Sequence, residues 1–174
     1  MKILHQYILS TAFTIFFIYS NVTNAETNIA ILDFELNDIT SLPHTPKEIV
    51  RTTSIKPLLE QAMLQLGEYK IIGISIDEQK SENPGFGYLF KFHDVAARLG
   101  KKFNADWIII GQHSKPSFLY SYLMAHLVNV KTGQLVARYD IELKGNHQKV
   151  TKRGIKKLSM KIDNLINKIK KEEK

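Results

Sequence analysis

The sequence predicts an α/β domain: a single mixed sheet of about five strands, in the order β-α-β-α-β-β-β-α, with helices packed on the sheet. Three observations predict it. Short β-branched runs (NIAILDF, YKIIGISI and DWIIIG) are separated by stretches of helical periodicity, which is the rhythm of parallel strands joined by crossover helices. Residues 135–144 then alternate apolar and polar with period two after a Thr-Gly turn, which marks an antiparallel pair. The last segment returns to helical spacing, with one apolar stripe.

The elements follow in order. Asn28 to Phe34 reads as a strand buried on both faces, and Glu35 to Pro43 as a polar loop. Thr45-Pro46-Lys47-Glu48 has the form of a helix start, with Thr45 as cap, Pro46 at the first helical position and Glu48 reaching back. Ile49, Thr53, Leu59, Met63 and Leu66 continue that helix to Gly67, with a kink or break expected near Lys56 because Pro57 cannot donate a backbone bond. Tyr69 to Ile76 is a second strand, and Asp77 to Gly87 a loop around Asn83-Pro84-Gly85. Tyr88 to Leu99 is one helix ended by Gly100, and Asp106 to Gly111 a third strand. Phe118 to Val130 is a long strand, and Gly133 supplies the turn before the last one. From about Val150, a helix carries Ile155, Leu158, Ile162, Leu165, Ile166 and Ile169 on one side.

Residues 1–25 have the pattern of a secretory signal peptide: Lys2, an apolar core of about 12 residues that is too short to span a bilayer, and small residues before a cleavage site near Ala25. The expected organisation is a signal peptide at 1–25, a single α/β domain at 26–167 and a charged tail at 168–174. The expected location is the periplasm or the exterior, not as a lipoprotein, since the chain contains no cysteine to lipidate or to pair. The chain carries +7 overall, yet residues 149–174 alone hold ten Lys/Arg against three acids, so the body is close to neutral. A basic amphipathic helix of this kind packs on a sheet or lies on an anionic surface, and its regular apolar stripe favours the sheet.

In a parallel sheet, ligands meet the loops at the carboxyl ends of the strands. Those positions hold Asp33, Glu35 and Asp38 after the first strand, Asp77 after the second, and His113, Ser114 and Lys115 after the third. Carboxylates with a histidine and a lysine suit a hard-cation site or an acid/base pair, and so a ligand- or partner-binding site; the default for such polar loops is solvation. His93 has Leu89 and Ala97 four residues away, so its helix offers no second metal ligand. His126, mid-strand, reads as a satisfied core histidine. Ser114 beside His113 makes no dyad, and no G-x-S-x-G or phosphate loop occurs. Phe118, Tyr120 and Tyr122 alternate on one strand face, which suits packing beneath a helix or against a partner; export argues against nucleic acid.

AILDFE, VAARLGKKFNADWIIIG and VNVKTGQLVARYDIELKG, in this order after a signal peptide, resemble the curli-secretion and Tol-translocation amino-terminal group of envelope domains. HSKPSFLYSYLMAHLVNVKTGQLVARYDIELKGN is similar to an uncharacterised proteobacterial family of secreted domains. The resemblance implies a non-enzymatic domain that binds another envelope component, without a cofactor. The alternative expectation is a small-ligand or metal-binding accessory protein that uses Asp33, Glu35 and His113.

Overall fold

Residues 26–40, 46–144 and 147–173 are described in the computed structural model. The expected signal peptide with its Ala25 cleavage site, His5, His44, the Thr45 cap, Gly145, Asn146 and Lys174 lie outside the described residues.

β1 (Thr27–Ile31) runs between β3 (Tyr69–Ile72) and β4 (Trp107–Lys115), parallel to both. β5 (Tyr120–Asn129) and β6 (Gln134–Lys144) continue the sheet antiparallel from β4, giving the order β3-β1-β4-β5-β6. Gly133, at φ 71°, makes the tight turn between β5 and β6, a conformation that a side chain disfavours. The mixed α/β sheet expected from the sequence is therefore present.

The sheet has six strands. Glu35–Asp38 forms β2, parallel to the end of β4, where the sequence suggests a loop. Its residues, ELND, have poor strand propensity; the edge of β4 supplies the pairing that local preference lacks. Likewise β4 continues four residues past Gly111, so His113, Ser114 and Lys115 are strand residues and not loop residues.

Helices cover both faces. α1 (Pro46–Thr53), α2 (Ile55–Leu66) and α6 (His147–Glu172) lie on one side, where Ile29, Ile31, Ile109, Leu123 and Leu127 meet Leu59, Leu158 and Ile162. The predicted stripe of α6 is the packed face: Ile155, Leu158, Ile162 and Ile166 are buried, and Leu165 and Ile169 pack against the same core. α3 (Ile76–Ser81), α4 (Tyr88–Lys91) and α5 (His93–Lys102) belong to the other side, where Leu89, Val95, Ala96 and Leu99 meet Leu32, Ile108, Ile110 and Val128.

Several boundaries differ from the sequence expectation for physical reasons. The first helix breaks at Ser54, three residues before Pro57, because the proline ring excludes the carbonyl of Thr53 four residues earlier. Thr52, Thr53 and Ser54 hydroxyls donate to the carbonyls of Glu48, Ile49 and Arg51 one turn back, just before the break. The second strand stops at Ile72, and Ser75 opens α3 with a reciprocal capping box to Glu78 inside the expected loop. The Tyr88 helix divides at Phe92. Gly100 lies inside α5, not at its end; a Cβ there would stand 2.8 Å from Val130 Cγ2, so close packing and not helix termination accounts for the glycine. The charged end at 168–172 continues α6 as helix.

Candidate functional site

His113 is fully buried on β4, facing α1. Its Nδ1 lies 2.8 Å from Thr52 Oγ1 and its Nε2 lies 3.1 Å from Ser121 Oγ. The Thr52 hydroxyl donates its single proton to Glu48 C=O at 2.9 Å, so it accepts from His113 Nδ1–H. Nε2 is then the acceptor for Ser121 O–H, and the neutral ring is satisfied at both nitrogens. Burial, reinforced by the Arg51 charge, lowers the His113 pKa to about 4.

Ser121 and His113 thus have the spacing of a nucleophile and base, on residues that sequence reading did not pair. Burial limits access to the pair, with Ser121 3 % exposed. A hydroxyl, not a carboxylate, holds the far nitrogen, and burial with the Arg51 charge outweighs the nearby Glu48 and Asp38 in disfavouring an imidazolium. The geometry serves cohesion between α1, β4 and β5.

Beside it, Lys115 Nζ lies 3.3 Å from both Asp38 Oδ2 and Glu48 Oε1. The Asp38 side chain is 1 % exposed. Burial pushes its carboxyl up, but hydrogen bonds from Thr40 and Lys115 and the lysine charge outweigh that and hold it at about 2. Arg51 Nε donates to Thr151 Oγ1 at 2.9 Å and ties α1 to α6.

Asp33 and Glu35 join different groups. Asp33 pairs with Lys56 at 2.9 Å, while its backbone N–H and C=O both bond the buried Gln79 amide, at 2.7 and 2.9 Å. Glu35 accepts from Asn83 Nδ2 at 2.8 Å, from Gly87 N–H at 2.9 Å and from Gln112 Nε2 at 3.4 Å. Glu35 and Gln112 oppose each other in register, one residue out of phase with Leu36 and His113, so they face the other side of the sheet. Asp77 is exposed in the first turn of α3, and Ser114 is half-buried in β4. The structure therefore joins Asp38 to Lys115 and surrounds Asp33, Glu35 and His113 with separate protein partners. Among the described residues, no group of three or more His, Asp or Glu could hold a metal ion. Gln79, Thr52, Ser121 and Lys56, which complete these clusters, carry no motif; the one local signal, Ser75 three residues before Glu78, falls where the sequence reads as the end of a strand and a loop.

The exposed chemistry of this end is apolar. Ile39, Phe118 and Leu119 are 71 %, 60 % and 85 % exposed where β2 ends and β4 turns into β5. Phe118 and Leu119 also border a small cavity of about 90 Å³ reached by Arg51, Lys115 and Ser121. Tyr120 is exposed and packs edge-on against half-buried Tyr122, with ring centroids 5.8 Å apart. These aromatics are not packed beneath a helix. Along β6, Gln134, Val136, Arg138, Asp140, Glu142 and Lys144 are all exposed, as the alternation predicts. Farther along the same face, His126 Nδ1 lies 2.9 Å from His93 Nε2 and its ring stacks on Phe90. Burial, followed by the His93 and Arg138 charges, lowers the His126 pKa to about 4.

Helices on both faces of a mixed sheet, with internally satisfied polar clusters and an apolar rim at the carboxyl end, define an α/β domain built around its scaffold and not around a polar pocket. The chain belongs to the DUF3280 family, described as "Protein of unknown function (DUF2380)", which matches residues 27–162. This agrees with the sequence resemblance to a family without an established role. No curated protein matches the chain. The fold is shared with the PelC dodecamer from Paraburkholderia phytofirmans, at 11 % identity and TM-score 0.52, over 77 % of this chain and 84 % of that one. It is shared also with lipoprotein GNA1162 from Neisseria meningitidis, at 12 % identity and TM-score 0.50, over 82 % of this chain and 96 % of that one. The LpoB C-terminal domain from Salmonella enterica aligns at 13 % identity and TM-score 0.48, over 72 % of this chain and 87 % of that one.

Proposed function

We propose that this protein is an exported, non-enzymatic domain that binds another cell-envelope protein through the carboxyl-end rim and the wet face of β6. The observation that carries the reading is the set of exposed apolar residues Ile39, Phe118 and Leu119, the last two contiguous in chain with the Tyr120–Tyr122 pair. Exposed clustered aromatic and aliphatic side chains are costly in water and are the usual anchors of a protein interface. The polar residues beneath them are engaged within the domain, which suits a rigid platform better than a reactive centre. Kinship of fold with a lipoprotein supports a place in the envelope by analogy. This chain has no cysteine to carry a lipid, so the reading is of a periplasmic or secreted domain.

A photo-reactive residue at Leu119, introduced in intact cells, tests this. The expected result is one discrete heterologous adduct that Phe118→Asp abolishes, with no adduct from a probe at Lys131 on the opposite end. Recovery of the protein alone, or equal labelling from both ends, overturns the reading.

A further inference from the structure

The face opposite the open strip of β5 and β6 carries a second feature. A groove runs along α1 and between α2 and α6. One stretch, of about 910 Å³, and the next, of about 570 Å³, share Leu58, Gln61 and Lys152 and so form one channel. Its apolar lining includes Pro57, Leu58, Ala62 and Ile155, together with Val50 and Met160, at 66 % and 46 % exposed. Among the described residues, four cations border it (Lys47, Arg51, Lys152 and Lys156) and no carboxylate does. Arg51 is committed to Thr151, whereas Lys47, Lys152 and Lys156 project from exposed positions.

We propose that this groove is the docking site for an acidic amphipathic helix of a partner protein. The charge argument is direct: an apolar channel with a wholly basic border selects an apolar stripe flanked by Asp and Glu. The size argument agrees. α2 has 12 residues, about 18 Å long, which matches three turns of a ligand helix bearing apolar anchors at i, i+3 or i+4, and i+7. Concavity separates this occupant from an anionic membrane, because a lipid surface meets the lysine rim without filling a floor recessed between two helices. The chain's own charge of +7 opposes a second copy in the same place. The groove and the cavity beside Phe118 and Leu119 share Arg51, but the proposal rests on Lys152, Lys156 and the apolar lining, which the carboxyl-end reading does not use.

The test is selection from a displayed library of helical peptides of about 18 residues, followed by anisotropy titration of labelled winners against the protein. The winners are expected to be acidic, with the i, i+3/i+4, i+7 apolar pattern. Lys152→Glu with Lys156→Glu should weaken them at least about tenfold and switch the library's preference toward basic peptides. Val50→Asp should weaken them similarly, and Leu119→Asp should not. Lys152→Gln with Lys156→Gln serves if the double reversal lowers the melting temperature. An empty selection, winners without charge bias, or affinities unmoved by the groove variants overturn the proposal. So do variant-sensitive binding confined to phosphatidylglycerol-containing vesicles, and a dimer that the variants dissociate.

Discussion

Thr52 and His113, 61 residues apart in sequence, share a buried hydrogen bond of 2.8 Å that fixes the tautomer of the histidine. The ring is held neutral, with its pKa lowered to about 4 from 6.5 by burial and the Arg51 charge. The folded state therefore binds fewer protons than the unfolded chain between those values, and stability falls as pH drops from about 6.5 toward 4. His126, lowered to about 4 as well, acts in the same direction. For fully buried His113 the contribution present at neutral pH is on the order of 3 kcal/mol. Urea unfolding at several pH values checks this. His113→Asn should flatten the slope between pH 6.5 and 4; an unchanged slope would assign the pH dependence to other groups.

Lys115→Met strips one cation from two carboxylates, Asp38 and Glu48, each 3.3 Å away. Removing one member of a buried charge cluster leaves the others poorly solvated, so a loss of about 3–5 kcal/mol is expected. Asp38→Asn in the Lys115→Met background should recover part of it, because it removes one stranded charge. Chemical denaturation of both variants measures the difference, and a further loss in the double variant contradicts the account.

Gln79→Leu keeps the volume of the side chain but removes both bonds to the Asp33 backbone. That segment interrupts the strand line between β1 and β2, so the amide stands in for a missing sheet neighbour. Leaving an N–H and a C=O unsatisfied costs about 2–4 kcal/mol together. Hydrogen exchange at Asp33 should accelerate more than the global loss of stability explains; equal acceleration across β1 and Asp33 assigns the change to global unfolding alone.

The sequence made the architecture legible where each element carries its own signal. The β-branched runs, the alternation of β6 and the isoleucine stripe of α6 are decided locally, by period and burial. It left β2 hidden, because ELND is a strand through its neighbour β4 and not through its own residues. It showed which polar residues gather near the carboxyl end, yet not their division. Glu35 and His113 point to opposite faces through a register that only pairing with β4 establishes. Phe118, Tyr120 and Tyr122 read as packed beneath a helix or against a partner, because alternation reports a face and not what covers it.

Gly111→Ala tests how closely the two crossings of the central sheet are fitted. A Cβ at Gly111 would stand 2.1 Å from Cε1 of Phe34, whose ring lies in the interruption between β1 and β2. Alanine ordinarily improves on glycine in an ordered segment by restricting the unfolded chain, so a stabilising change is the default expectation. Here the ring has to move, and it is buried against the α2–α6 core. Overpacking of this kind costs about 1–3 kcal/mol, which exceeds the entropic gain and makes the variant less stable. Phe34→Leu combined with Gly111→Ala should lose less than the sum of the two single changes, since the smaller side chain vacates the space that the methyl group needs. Thermal unfolding of the four proteins completes the cycle, and strict additivity rules out the contact as the cause.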